Sequence, residues 1–149
     1  MNKAAHREIA PTIVLDRSGQ FLLQKRDDIP GIICPGMIGL FGGHREGDET
    51  FLECAARELA EELSFAIPTD QFEALTSNIG PDPETLGGTL HAEFFLVKDI
   101  PVEQVVVTEG SLLVASLSDL ETMADRLTPS ARFALDYYCR GSINRQDLE

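Results

Sequence analysis

The stretch Gly42-Gly43-His44-Arg45-Glu46-Gly47-Asp48-Glu49, running on through Arg57-Glu58-Leu59-Ala60-Glu61-Glu62-Leu63, constrains this chain more than any other. Two glycines end a short apolar run over 37–41, a polar loop follows, and the spacing then predicts a helix over 50–63. Thr50 and Glu53 stand at capping-box spacing, where a hydroxyl and a carboxylate satisfy free amides at a helix start. Phe51, Leu52, Ala55, Ala56, Leu59 and Leu63 fall on one helical stripe, the face to be buried. Glu58, Glu61 and Glu62, at i, i+3 and i+4, share a neighbourhood off that stripe. Carboxylates this close repel one another unless a cation sits among them, and their oxygens are hard ligands suited to Mg²⁺ or Mn²⁺. A solvated acidic helix face has the same spacing, so the helix alone does not decide. The glycine pair and Glu49 in the loop before it bear on the choice.

The 149 residues suit one domain, 1–149, with a real core. The formal charge of −13 disfavours nucleic acid and anionic membranes as partners, and disfavours a phosphorylated ligand too unless metal neutralises the site. Cys34, Cys54 and Cys139 carry no CxxC or Cys/His zinc spacing, which points to reduced thiols and a cytoplasmic setting. Residues 1–8 lack the apolar core of a signal peptide, and no apolar run is long enough to span a bilayer.

In chain order, residues 9–15 read as a strand, 16–19 as a turn and 20–25 as a second strand, a hairpin signal. Pro30, Gly31, Pro35 and Gly36 make 27–36 a loop, and 37–41 is a short strand delivering Gly42 and Gly43. After the helix, Ser64 falls where the chain takes positive φ, which costs a non-glycine residue about 1 kcal/mol; Pro68 blocks continuation. Strands are expected over 72–79 and 89–97, with a flexible loop at 80–88 between them. Further strands are expected over 102–107 and 112–117, parted by Thr108-Glu109-Gly110-Ser111. Ser118, with Glu121 at capping-box spacing, is expected to cap a short helix to Ala124. Pro129 opens a last helix to Arg140, and 141–149 reads as a polar, frayed tail. Strands mixed with one central and two late helices place the chain in the α/β class, with layered α/β/α packing.

The segment over 43–65 resembles the Nudix box. In that pattern glycine is followed after five residues by glutamate and, after seven more, by Arg-Glu-apolar-x-Glu-Glu-x-Gly-apolar. The positions here are Gly43, Glu49, Arg57, Glu58, Leu59, Glu61, Glu62, Ser64 and Phe65, with Ser64 the one departure. Weaker similarity extends upstream to Phe21 and downstream to Glu109. The resemblance implies an α/β/α sandwich with a mixed central sheet and the box as a loop–helix–loop. It implies Mg²⁺ (or Mn²⁺) held by Glu58, Glu61, Glu62 and the Gly42 carbonyl, with Glu58 or Glu62 closest to the attacking water. Arg57 would pair with a loop carboxylate and fix the helix against the loop, and Glu49 would act through water or orient a partner. One further glutamate outside the box is expected as ligand or base; of Glu84, Glu93 and Glu109, the last is preferred because it heads a Glu-Gly pair between two strand signals. Arg26 and His44 are candidate substrate contacts, each with plain surface as the alternative. His91, Tyr137 and Tyr138 read as structural.

The activity implied is hydrolysis of the pyrophosphate link in a nucleoside diphosphate joined to another moiety, either a nucleoside triphosphate or a nucleotide sugar such as ADP-ribose. Pro81 leans weakly toward ADP-ribose. Such chemistry requires phosphate charge to be offset, a water to be aimed or deprotonated, and a leaving group to be stabilised; divalent ions and glutamates supply these. Two alternatives stand beside it. One is a non-catalytic Nudix-like module that senses a nucleotide. The other is an isopentenyl-diphosphate isomerase-like enzyme, which Phe21-Leu22-Leu23-Gln24-Lys25-Arg26 and Pro35-Gly36-Met37 faintly resemble. Family members often pair, and with Phe133, Tyr137 and Tyr138 on the last helix the resemblance implies a homodimer.

Overall fold

The computed structural model describes residues 5–147, with side chains through 140. The elements run β1 (His6–Ile9), β2 (Thr12–Asp16), β3 (Phe21–Lys25), β4 (Ile38–Gly39), α1 (Phe51–Leu63), β5 (Glu73–Pro81), β6 (Thr89–Ile100), β7 (Ser111–Ala115), α2 (Leu117–Thr122) and α3 (Pro129–Asp147). The strands form one mixed sheet in the order β1-β6-β2-β3-β4, with β5 added on β6 and β7 on β3. β1 and β2 run parallel to β6, and the other pairings are antiparallel.

Alternation along the strands sorts the core into two layers. Ile13 and Leu15 of β2, Leu23 of β3 and Phe94 and Leu96 of β6 pack with Leu120, Ala131, Ala134 and Leu135 on the α2/α3 side. Val14, Leu22 and Val97 turn the other way and pack with Leu59 and Leu63 of α1. The α/β/α sandwich is thus built by a period of two in the strands and 3.6 in the helices. Phe133 stacks on Phe94 with ring centres 5.5 Å apart, and Tyr138 meets Phe21 edge-on at 6.1 Å. Of the three aromatic residues expected at a dimer contact, Tyr137 alone is left half exposed with no ring partner among the described residues.

Several expectations need correction. The strand over 9–15 is two strands in line along β6, broken at Ala10-Pro11, because proline has no amide to donate. There the amides of Ala10 and Thr12 go to the carbonyls of Gly43 and Phe41. Residues 102–107 form no strand: 102–104 make a 3₁₀ turn, and the following amides turn to the end of α1. The cap of the short helix is Ser116, not Ser118, with Asp119 closing a capping box. The last helix runs on to Asp147 instead of stopping at Arg140.

Candidate active site

Helix α1 begins as its sequence dictates. The Thr50 hydroxyl accepts from the Glu53 amide at 3.0 Å, and the Glu53 carboxylate accepts from the Thr50 amide at 2.8 Å. It ends at Ser64, which takes φ 53°, the left-handed conformation anticipated for it. The buried stripe carries Cys54, Ala55, Leu59 and Leu63, and with them the carboxylate residue Glu62, only 7 % exposed.

Glu62 forms part of the lining of a cleft of about 360 Å³ that also takes in Gly42, Gly43, His44, Glu58 and Glu109. The Gly42 amide donates to Glu62 Oε1 at 3.0 Å. Gly42 has φ 142°, and a Cβ there would lie 2.6 Å from Pro11 Cα. Only glycine permits that approach of loop to sheet. Burial, and then the neighbouring charges of Glu58 and Glu109, push the Glu62 carboxyl up to about 8 against the opposing Gly42 amide. The cleft floor is therefore a set of hard oxygen donors in which a second full negative charge on Glu62 is disfavoured until a cation joins it.

That donor set fits Mg²⁺ or Mn²⁺. Among the described residues, no three His, Cys, Asp or Glu side chains stand together as a ready cage. Such a site suits a small cation that keeps waters and takes substrate phosphate oxygens beside one or two carboxylates. Glu61 does not join the cleft: its side chain is 61 % exposed and lies 3.5 Å from Arg57 Nη1.

Arg57 braces the site. Its Nε and Nη2 donate to the two oxygens of Glu49 at 3.0 and 2.7 Å, Nη2 also reaches the His44 carbonyl at 3.0 Å, and Nη1 reaches Glu58 at 3.0 Å. Arg57 holds the Glu49 carboxyl down at about 2. Glu49 is thus committed to Arg57 and to the Glu46 amide and lies outside the cleft lining, so it contacts a partner side chain and is not placed as the substrate-binding residue that was the other expectation for it. Arg57 acts as the loop-to-helix tie that the resemblance implied. Cys54, whose thiol burial pushes up to about 12, donates to the Gly43 carbonyl at 3.5 Å.

Arg26 and His44 both line the cleft. Arg26 Nε is fixed to the Ile33 carbonyl at 2.7 Å, and the His44 carbonyl accepts from Arg57. The far wall was not foreseen. Arg7 donates to Asp82 at 2.7 and 2.9 Å and to Glu84 at 2.8 Å, and the second Glu84 oxygen accepts from the Ser130 amide at 3.1 Å. Glu84 lines the cleft with both oxygens engaged, by Arg7 and by the Ser130 amide, and the 82–88 loop is pinned through its Asp-Pro-Glu turn. Glu93 lies outside the cleft with His91 at 2.8 Å. Pro81, the residue that leaned toward ADP-ribose, ends β5 exposed and away from the cleft. Ser130 also lines the wall, with its buried hydroxyl unpartnered. A polar residue in an arginine–carboxylate–helix-start cluster leaves no short-range pattern, because its partners come from three distant segments.

The layered α/β domain thus sets the acidic floor of α1 against a double-glycine loop in an open cleft. The family model of the NUDIX domain matches residues 5–129. The chain belongs to the Nudix family. No curated protein matches it by sequence. Among solved structures, a MutT protein from Methanosarcina mazei Go1 is 19 % identical with a TM-score of 0.76, covering 95 % of this chain and 99 % of that one. A MutT NUDIX hydrolase from Burkholderia pseudomallei is 25 % identical with a TM-score of 0.69, covering 89 % and 97 %. A bifunctional NMN adenylyltransferase/ADP ribose pyrophosphatase from Francisella tularensis, complexed with AMP and Mn ion, is 18 % identical with a TM-score of 0.67; the match covers all of this chain and 44 % of that one.

Proposed function

We propose that the protein hydrolyses the pyrophosphate link of a nucleoside diphosphate joined to another moiety, with Mg²⁺ or Mn²⁺ as the required ion. The observation that carries this reading is Glu62, buried beside Glu58 and Glu109 on the floor of an open cleft and held by the Gly42 amide. Glu58, Glu62 and the Gly42 carbonyl are the ligands assigned, and Glu109, which lines the same cleft, is the further ligand or base from outside the box. The ion, when bound, offsets phosphate charge and lowers the pKa of water.

The rest falls to this chain's own side chains. Glu58 or Glu62 accepts the proton from the attacking water. Arg57 and Glu49 hold the loop 42–49 against α1, so that Gly43 and Glu58 stay in contact. Arg26 and His44, from the cleft wall, orient the substrate. The neighbour described as an ADP ribose pyrophosphatase makes ADP-ribose a first compound to try, beside the nucleoside triphosphates. Three free cysteines suit a reducing, cytoplasmic setting, and no helix among the described residues is long and apolar enough to cross a membrane.

A panel of nucleoside triphosphates and nucleotide sugars, incubated with Mg²⁺ and with Mn²⁺, tests the reading. Release of a nucleoside monophosphate from any member supports it. Tight nucleotide binding without turnover across the panel points instead to a sensing module.

A further inference from the structure

The acidic floor draws one of its carboxylates from outside α1, and the structure shows how that residue is held. The last turn of α1 carries no basic residue to satisfy its free carbonyls. The segment 106–108 takes that place. The Val106 amide donates to the Leu63 carbonyl at 3.0 Å, the Thr108 amide to the Glu62 carbonyl at 3.0 Å, and Thr108 Oγ1 to the Glu61 carbonyl at 3.2 Å. Glu109 therefore leaves the helix end one residue after a direct tie to Glu62. On its other side Gly110 takes φ 66°, and a Cβ there would lie 2.4 Å from the Lys25 carbonyl, so the turn runs hard against β3.

Between these anchors the Glu109 carbonyl accepts from Gln24 Nε2 at 3.0 Å. Gln24 is only 5 % exposed, on a strand whose neighbouring side chains are apolar or lysine, and it shares the sheet face of Leu22, toward α1. A buried amide is costly unless bonded, and the Glu109 peptide is the partner it has. Glu109 lines the same cleft as Glu58 and Glu62, and like charges in one cleft repel; the Gln24 bond holds the Glu109 peptide in place against that repulsion.

We propose that Gln24 is a positioning residue for the reaction: its side-chain amide fixes the Glu109 peptide so that the Glu109 carboxylate stays opposite Glu58 and Glu62. The proposal rests on the role given to Glu109 above. Gln24 also lines the cleft; the role assigned to it acts through the Glu109 peptide, and the cycle below separates that from a direct contact with substrate.

The test is a double-mutant cycle on the full chain with Mn²⁺, using the best substrate of the panel. Gln24→Met keeps the length of the side chain and removes the donor. It is expected to lower kcat about tenfold, the effect of losing one hydrogen bond, and to leave KM within twofold. In Glu109→Gln, adding Gln24→Met is expected to cost no more than a further twofold. In metal-free protein, amide exchange over residues 105–111 is expected to quicken in Gln24→Met and not elsewhere in the sheet. Multiplying effects in the double variant overturn the proposal, since Gln24 then acts on substrate independently of Glu109. So does wild-type kcat in Gln24→Met while Glu109→Gln is impaired. If Glu109→Gln keeps full turnover, the reading of Glu109 falls and the proposal with it; if the wild type turns over nothing in the panel, the functional reading itself fails. Should Gln24→Met not fold, Gln24→Glu, which keeps size and shape and removes the same donor, enters the same cycle with the same expected loss of coupling in Glu109→Gln.

Discussion

A Cβ placed on Gly43 would lie 2.4 Å from the carboxyl carbon of Glu58 and 2.6 Å from each of its oxygens. The glycine is there because the glutamate is: the loop backbone forms one wall of the Glu58 carboxylate's seat. Gly43→Ala must push Glu58 aside or lift the loop. Small misplacements of a reacting group cost up to ~10²-fold in rate, whereas overpacking costs about 1–3 kcal/mol of stability. We expect kcat to fall at least ~10-fold while the protein remains folded, as checked by kinetics beside circular dichroism.

Arg57 serves Glu49, Glu58 and the His44 carbonyl at once, which a lysine ammonium cannot do with its single point charge. Arg57→Lys is expected to lower kcat about tenfold or more. Because Glu49 acts through Arg57, Glu49→Gln added to Arg57→Lys should cost far less than the product of the two single effects. Steady-state rates for the four proteins check this coupling.

The far wall gives a pH prediction. Burial by itself would raise the Asp82 carboxyl, but the Arg7 hydrogen bonds and the Glu84 amide outweigh it and hold Asp82 below the usual carboxylate range. A folded-state pKa below the unfolded one gives stability that is complete above the unfolded value, near 3.9. It is lost as pH falls through the folded value. Asp82→Asn is therefore expected to cost about 2 kcal/mol at pH 7, the order of a charge-assisted hydrogen bond, with the difference shrinking below about pH 4. Urea denaturation of both proteins across pH 3–7 measures it.

Metal should stabilise the fold, because the ion relieves the charge crowded at Glu58, Glu62 and Glu109 and binds the folded state alone. At a free concentration a hundredfold above Kd the gain is about 2.7 kcal/mol, which is several degrees of melting temperature for a chain of this size. Mn²⁺ in place of EDTA should raise the melting temperature of the wild type and leave that of Glu62→Gln nearly unchanged.

The parts of the site legible in the sequence were those written in consecutive residues. The Thr50/Glu53 cap and the αL exit at Ser64 follow from local chemistry, and the structure carries both; the close approaches at Gly42 and Gly43 involve Pro11 and Glu58 and needed the fold to be seen. The Arg57 tie to Glu49 follows from the family resemblance. What sequence reading lacked is long-range pairing. Residues 102–107 are rich in valine and so resemble a strand, yet the Val106 and Thr108 amides cap a helix forty residues upstream in the chain. Arg7, Glu84 and Ser130 converge from β1, the 82–88 loop and α3, so no spacing announces them. Glu61 was expected as a ligand from the family resemblance; its side chain is 61 % exposed and lies outside the cleft lining.

The most direct test of the account is turnover of the best panel substrate with Mg²⁺ by four proteins: wild type, Glu58→Gln, Glu62→Gln and Glu103→Gln. Glu→Gln keeps size and shape and removes the charge that binds the ion and takes the proton. Glu103 is an exposed control whose one side-chain partner among the described residues is a surface bond to Arg17 at 3.2 Å, a contact of small energy. The account predicts a loss of at least ~10²-fold at Glu58 and Glu62, with Glu103→Gln within about twofold of wild type. Equal turnover by all four would make the acidic helix a surface feature and contradict the assignment of the site.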